Sequence, residues 1–354
     1  MIAKLTAHDV ARRANVSQSA VSRAFTEGAS VAPATKARIL AAANELGYRP
    51  TSAAKSAAAK SRVIGLVTSG LANPFNALVI EKLSLSLAEE GYRVLLFVTE
   101  GDDSDLFLPD MLDHPLDGVI LAAAASSSSL ARHCADAGMP VVLFNRVADV
   151  DGAGRFLTSS VSSDNLGGGR HVAELLIQRG HRRIAYLAGI ESSSTTQSRE
   201  AGLRQALREA SIDLHARIVG NYKVEDTQAA IRALFQAAGA LPDAIFAAND
   251  HMAMTAIDTI RSEFHLRVPE DISVVGFDDV PQAGWPSHSL TTVRQDIDAM
   301  VAATKALLFG QIMGETCPAQ VCVPCTIVDR RSVGIRGASV HEESPATSLT
   351  RQHP

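Results

Sequence analysis

Long apolar runs are missing from this 354-residue chain. The longest, Val63 to Val67 and Val94 to Val98, are strand-length, far short of the roughly 20 residues a spanning helix needs, so a helical membrane span is excluded. The N-terminus MIAKLTAHDV lacks the apolar core and small-residue cleavage site of a secretory signal, and a cytoplasmic protein is expected. Cysteine is sparse, with four residues at 134, 317, 322 and 325, as suits reduced thiols. Cys317, Cys322 and Cys325 include a CxxC, but no second CxxC or HxxxH lies near them. AQVCVPCTIV alternates like a strand, and three thiolates make a poor structural zinc site, so no metal is expected. Catalytic motifs are missing too. There is no GxSxG or HExxH, and His171 and His181 have no paired nucleophile. Gly167-Gly168-Gly169 lacks the GxGxxG spacing and the Lys-Ser/Thr of a phosphate loop and reads as helix-start glycines. No catalytic residue and no cofactor are expected, and the chain reads as a non-enzyme.

What is there is ordinary globular material, 46% hydrophobic and 20% charged, long enough for two or three domains. The net charge of −5 is unevenly divided. Residues 1–62 carry ten basic side chains (Lys4, Arg12, Arg13, Arg23, Lys36, Arg38, Arg49, Lys55, Lys60, Arg62) against Asp9, Glu27 and Glu45, a net of +7 that leaves −12 for the remainder. A basic module on an acidic body is the layout of a protein that confines polyanion contact to one end, although a basic face alone can simply be solvated.

The basic segment predicts three short helices. Thr6 and Asp9 form a near capping box, with Val10, Ala11 and Ala14 on one face. A tight turn at Ala14-Asn15-Val16 follows. Ser17 then caps a helix over Gln18 to Phe25, which turns Ala20, Val21, Ala24 and Phe25 inward and Gln18, Ser19, Ser22 and Arg23 outward. A third helix starts near Pro33 and stops at Gly47, closing the core with Ile39, Leu40, Ala43 and Leu46. Periodicity alone fits a plain three-helix core equally well. The residues decide: TAHDVARRANVSQSAVSRAF followed by VAPATKARILAAANELGYRP closely resembles the DNA-binding head of the lactose-repressor (LacI/GalR) family of transcriptional regulators. The resemblance implies that Gln18, Ser19 and Arg23 read the major groove, Arg23 by a bidentate contact to guanine, while Asn15, Ser17 and Ser22 hold phosphates and Thr6 also belongs to the DNA-binding set.

From Val63 the pattern changes. VIGLVT, RVLLFV, DGVILAA and PVVLF, then RRIAYLAG, PDAIFAAND and DISVVGFDD, are buried-strand runs separated by amphipathic helices such as Phe75 to Glu90 and Asp250 to Glu263. This predicts parallel sheets covered on both faces, in two doubly wound lobes whose ligands sit at the carboxyl ends of the strands. Polar and aromatic residues cluster there: Asn73-Pro74-Phe75, Asn145-Arg146, Asp164-Asn165, Arg199, Tyr222, Asn249-Asp250 and Asp278-Asp279. Amides, carboxylates, a guanidinium and flat rings suit a polyhydroxylated ring. Singly each has a plainer reading: Asp164 and Asn249 as helix caps, Phe75 as core, Arg199 as a surface pair.

The resemblance continues through DNLGGGRHVAELLIQRGHRRIAYLAG, ANDHMAM and VPEDISVVGFDD and covers about residues 5–335. It implies a fold with an N-terminal helix-turn-helix head and a periplasmic-binding-protein-like sensor. The head is expected over 1–49 and a hinge helix over 50–62. The first lobe is expected over 63–162 plus 294–323, the second over 163–293 plus 324–335, and a disordered tail over 336–354. It also implies that Phe75 and Tyr222 stack on a small-molecule effector, a sugar or sugar derivative, while Asn145, Arg199, Asn249 and Asp278 hydrogen-bond it in the interlobe cleft. Asn145 replaces a frequent acid, and Trp285 either closes the cleft or packs. The expected partners are double-stranded operator DNA, the effector and a second copy in a homodimer, with allosteric repression as the outcome. The rival reading is a solute-binding protein of a transport system, which shares the body but has no use for a basic head; a sugar-modifying enzyme ranks third.

Where family members commonly carry a wedging leucine in the hinge, this chain has Ala57. Less apolar insertion means less bending of the operator, and affinity that rests on phosphate contacts by Lys55, Lys60 and the head, with a steep salt dependence. Ala57→Leu is expected to increase bending and tighten binding by on the order of 1 kcal/mol on operators with a flexible pyrimidine–purine centre. Circular-permutation bend assays at two salt concentrations check this; strong bending by the unaltered chain would overturn it.

Overall fold

The computed structural model describes residues 7–25, 30–46, 61–99, 111, 113–122, 127–150, 156–315 and 319–336. Thr6, the linker with Ala57, Cys317, the tail from Gly337 and the side chain of Ser22 lie outside the described residues.

The head is three helices, α1 (Ala7–Ala14), α2 (Gln18–Ala24) and α3 (Pro33–Leu46). Asn15 takes a left-handed φ of 50°, which lets Val16 N–H reach back to the Ala11 carbonyl at 3.0 Å and turns the chain out of α1. Ser17 then caps α2, its hydroxyl accepting from Ala20 N–H at 3.2 Å. Val10, Ala11, Ala14, Val21, Ala24, Ile39, Ala42 and Ala43 make the core, with Val16, Ala20, Phe25 and Leu46 at its margin. Leu40 does not join it and is 43% exposed. Ile39, Ala42, Ala43 and Leu46 form the i, i+3, i+4, i+7 stripe of α3, and Leu40, one residue on, is rotated about 100° off it.

Among the described residues the chain divides into two compact units. One comprises residues up to Leu71, Val79–Val161 and Met300–Val321; the other Ala72–Leu78, Ser162–Ala299 and the chain from Cys322. The first lobe uses β1 (Val63–Ser69), α4 (Pro74–Glu89), β2 (Arg93–Thr99), β3 (Gly118–Ala122), α5 (Ser127–Asp136), β4 (Val141–Phe144) and β5 (Ser159–Ser163). Late in the chain it adds α10 (Ile297–Ile312) and β11 (Gln320–Val323), giving a sheet ordered β11-β5-β4-β3-β1-β2 with parallel pairing from β5 to β2. Val67, Val119, Leu121, Val141 and Leu143 on one sheet face pack with Met111, Leu130 and Cys134.

The second lobe has α6 (Asn165–Gln178), β6 (Ile184–Ala188), α7 (Ser194–Glu209), β7 (Ala216–Val219) and α8 (Val224–Gln236). It continues through β8 (Ala244–Ala247), α9 (Asp250–Glu263), β9 (Ser273–Val275), β10 (Thr292–Gln295) and β12 (Cys325–Val328). Its sheet runs β7-β6-β8-β9, all parallel, beside an antiparallel β10/β12 pair. AQVCVPCTIV, which alternates like a strand, forms two: Pro324, with no N–H to give a ladder, separates β11 from β12, and the two strands enter different sheets. Residues 333–336 are stitched into this lobe. His181 Nε2 meets the Gly334 carbonyl at 3.1 Å, Arg179 Nη1 donates to the Val333 carbonyl at 2.9 Å, and Arg336 N–H donates to the Arg179 carbonyl at 2.7 Å.

Two glycines set the close approach of α6 to α7. A Cβ on Gly169 would collide with the backbone carbonyl of Arg199, and one on Gly202 with that of Leu166. Helix propensity favours alanine over glycine by about 1 kcal/mol, whereas a methyl driven into backbone costs roughly 1–3 kcal/mol. Gly169→Ala is therefore expected to destabilise the protein in urea unfolding; a net gain in stability would show that the helices separate freely.

Candidate functional site

In the head, α2 carries Gln18, Ser19 and Arg23 as exposed residues, with Asn15 and Ser17 exposed just before them. Arg23 Nε folds back to the Ser19 carbonyl at 3.3 Å, and the Ser17 and Ser19 hydroxyls meet at 3.0 Å. These polar groups line the start and exposed face of one short helix, the arrangement that lets side chains reach base edges while backbone amides meet phosphate.

In the second lobe the strand ends converge on Arg199, which α7 holds at 2% exposure. Its Nε donates to Asn165 Oδ1 at 2.8 Å and its Nη1 to the Ala248 carbonyl at 2.5 Å. Nη1 also lies 3.6 Å from Asp278 Oδ1, and the guanidinium carbon stands 3.6 Å from the centre of the Phe277 ring. Asp278 accepts from Gln295 Nε2 at 2.7 Å, and Gln295 Oε1 in turn accepts from Ser163 Oγ at 2.7 Å. The surface pair considered for Arg199 is thus replaced by a buried network.

Asn249 does cap α9, its Oδ1 accepting from Met252 N–H at 3.0 Å, as Asp164 caps α6 through Gly167 N–H at 2.8 Å. The cap uses only the oxygen of Asn249. Its Nδ2 is buried, in a residue 2% exposed, and has no hydrogen-bond partner among the described residues. Tyr222, half-buried, donates to or accepts from Thr196 Oγ1 at 2.6 Å, and its ring lies where a Cβ on Gly189 would be. In the first lobe, Asn145 follows β4 with a buried Oδ1 that is likewise unpartnered among the described residues. Phe75, at the start of α4, is buried.

Three of these six residues hold left-handed backbone: Asn145 at φ 55°, Tyr222 at 60° and Asp278 at 125°. Such conformations cost of order 1–3 kcal/mol each for residues other than glycine and persist where the surroundings impose them. At Asp278 the imposition is visible: its N–H is fixed on the Val293 carbonyl at 2.8 Å, and the next residue, Asp279, is gripped by Arg294 and Arg330 at 2.6 Å each.

Burial raises the Asp278 carboxyl from 3.8 to about 7, against the opposing pull of Arg199 and the Gln295 hydrogen bond. Asp250 is raised well above its ordinary value, first by burial and then by the neighbouring Asp278 charge, although Thr292 Oγ1 and Val280 N–H both donate to it.

Sequence reasoning missed several members of this network: Phe277, Gln295, Ser163 and the hydroxyl run Ser193 to Thr196. The run was visible as ESSSTT directly after a strand, and Thr195 and Thr196 are the groups that face the Tyr222 hydroxyl, at 3.5 and 2.6 Å. Gln295 and Ser163 carried no signal, because they lie 132 positions apart and only the fold joins them.

Residues 6–51 match the model of bacterial regulatory proteins of the lacI family, and residues 173–333 that of the periplasmic binding protein-like domain. The transcriptional regulator CelR of Thermobifida fusca is 33% identical over 87% of this chain and 92% of its own length. This chain belongs to the lacI family. A solved CelR–cellobiose complex superposes with a TM-score of 0.70 at 31% identity, over 93% of this chain and 99% of that one. A lac repressor dimer bound to operator and the anti-inducer ONPF superposes at 0.68 with 28% identity, over the same 93% and 99%. The lacI-family chain described here is thus a DNA-binding transcriptional regulator with a ligand-binding type of body.

Its raised pKa makes Asp278 a weaker acid in the folded chain than in the unfolded one. A carboxyl whose folded pKa lies above its unfolded value contributes stability that is present below about pH 4 and is lost as pH climbs through about 7. Asp278→Asn keeps a neutral, similarly shaped group. The variant is expected to gain stability relative to the unaltered protein as pH rises from about 5 to about 8. Melting curves across that range check it, and a gap independent of pH would refute it.

Proposed function

We propose that this lacI-family regulator is a repressor that holds double-stranded operator DNA as a homodimer in the cytoplasm and releases it when a carbohydrate effector binds the body. No chemical turnover is assigned to it. One small head makes too few base contacts for useful specificity, which favours paired heads on related half-sites. Arg23, Gln18 and Ser19 are proposed to read bases, with Asn15, Ser17 and Ser22 on phosphates, Thr6 in the same DNA-binding set and Ala57 at the minor groove. The head is proposed to span 1–49, the linker 50–62 and the lobes 63–162 plus 294–323 and 163–293 plus 324–335, with the second lobe extended to Arg336, whose N–H donates to the Arg179 carbonyl.

One observation carries the effector reading. Asn249 spends its oxygen on a helix cap and leaves a buried amide donor with no protein partner, at the end of a strand in a network already rich in hydroxyls and amides. A buried polar group left unpaired costs about 1–3 kcal/mol, and a ligand hydroxyl would recover it. Tyr222, Asp278 and Arg199 are proposed to contact the same effector, the guanidinium through the part of its fork not used on Asn165 and Ala248; Phe75 and Asn145 are proposed for the same role. The relatives support a saccharide, since one of them is solved with cellobiose.

Asn249→Ser tests this directly. Serine still caps the helix, at a cost within about 0.5 kcal/mol, but loses the amide donor. With cellobiose, glucose and ribose as probes, thermal-shift titration of the full chain is expected to show saturable stabilisation by one of them. The variant should bind that sugar roughly tenfold more weakly. Stabilisation by none of the sugars, or equal affinity in the variant, refutes the assignment.

A further inference from the structure

We infer that Asp117 is a positioning residue for DNA binding: it fixes the point at which the chain leaves the first lobe toward the basic head. The observation is a convergence on two consecutive residues at the edge of the lobe. Asp117, in the turn before β3, accepts from Ser61 N–H at 2.8 Å, from Ser61 Oγ at 2.7 Å and, through its second oxygen, from Arg62 N–H at 3.1 Å. Its own N–H donates to the Val63 carbonyl at 2.9 Å, so the turn and the start of β1 hold each other from both sides.

Arg62 is held from a second direction. Its carbonyl accepts from Arg93 N–H at 2.8 Å, its Nη1 donates to the Glu90 carbonyl at 3.0 Å, and its guanidinium carbon stands 5.3 Å from the centre of the Tyr92 ring. Glu90 is tied to α10 by Lys305 Nζ at 3.1 Å. The backbone of Arg62 is left-handed, with φ 58°, which a side chain of this size rarely adopts unless its surroundings demand it. The backbone bonds from Arg93 N–H and Asp117 N–H open the sheet ladder itself, whereas the Asp117 carboxylate and the Arg62 guanidinium contacts lie outside that ladder. The clamp acts on the two residues ahead of the strand and sets the direction in which the preceding chain departs.

The consequence concerns DNA rather than the effector, and it rests on the reading that residues 7–46 bind duplex DNA. Heads that read related half-sites must be delivered at a defined spacing. Freeing Ser61 and Arg62 adds backbone conformations that specific binding must then freeze out, whereas nonspecific binding, with no spacing to satisfy, is indifferent. Asp117 thus acts through the chain and touches no nucleic acid itself.

The test uses the full chain and a duplex enriched by the unaltered protein from a random pool, with poly(dI-dC) as the nonspecific comparison. Asp117→Ala is expected to weaken binding to the enriched duplex by about tenfold, with nonspecific binding unchanged within about twofold. Amide exchange at residues 61–62 should quicken while the melting midpoint stays near that of the unaltered protein. Ser61→Ala removes the hydroxyl that donates to Asp117 and accepts from Val63 N–H at 3.2 Å, and leaves both backbone N–H bonds to the Asp117 carboxylate in place. It should show a smaller loss of the same kind, and the double variant should lose less than the sum of the two. Unchanged affinity for the enriched duplex, or an equal loss on both DNAs, overturns the inference. If Asp117→Ala unfolds, a Ser61→Ala variant with full specific affinity overturns it as well. A chain that enriches no duplex refutes the DNA-binding reading itself, and the inference falls with it.

Discussion

Arg199 is a full charge almost entirely removed from water, and the second lobe is arranged around keeping it satisfied. An isolated buried guanidinium would cost several kcal/mol, so each of its faces must meet something: the amide of α6, the carbonyl that follows β8, the carboxyl of Asp278 and the ring of Phe277. Three different segments are thereby fixed to one side chain on α7. The glycines that draw α6 against α7 are the backbone counterpart of the same requirement, since Asn165 reaches Arg199 only if the helices touch. The cost of burial falls partly on Asp278, whose acidity is displaced toward neutrality even with a cation at its side. A network held this tightly keeps its shape on its own, so the effector proposed to bind there would meet groups already in place and spend little ordering entropy on binding.

Much of this was legible in the residues. The two lobes follow from runs such as VIGLVT and RRIAYLAG, because a strand buried on both faces has to be apolar throughout. Ser17, Asp164 and Asn249 could be named as caps because capping is local: the side chain and the N–H it accepts lie within three residues of each other. Leu40 misled because its apolar character was counted without its angle around α3. The alternation from Ala319 to Val328 did not by itself show the break at Pro324, because a period of two says which face a residue takes and nothing about which sheet it joins. Phe277 adjoins a residue that was singled out, yet its role depends on a cation from 78 positions earlier, and no local pattern carries that.

The two ends of Asn249 show why a structural reading and a proposed functional one need not compete at one residue. An asparagine offers two different ends, and a cap consumes one. Aspartate or serine would cap as well but would leave no amide donor, so the choice among capping residues carries information about what else is present at that position.

The late segments of both lobes bear on how the protein is made. The head closes its core between Val10 and Ala43, with Leu46 at its margin, so nothing that core packs on lies further along the chain. The first lobe, by contrast, takes in Met300–Val321, and the second is closed by β12 and by the stitches at Val333, Gly334 and Arg336. During synthesis from the N-terminus the basic head is complete hundreds of residues before either sheet can be. The ribosome therefore carries a folded, cationic head on an unfinished acidic body for most of the time it spends on this message, and whatever restrains premature contact with DNA in that interval has to come from outside the lobes.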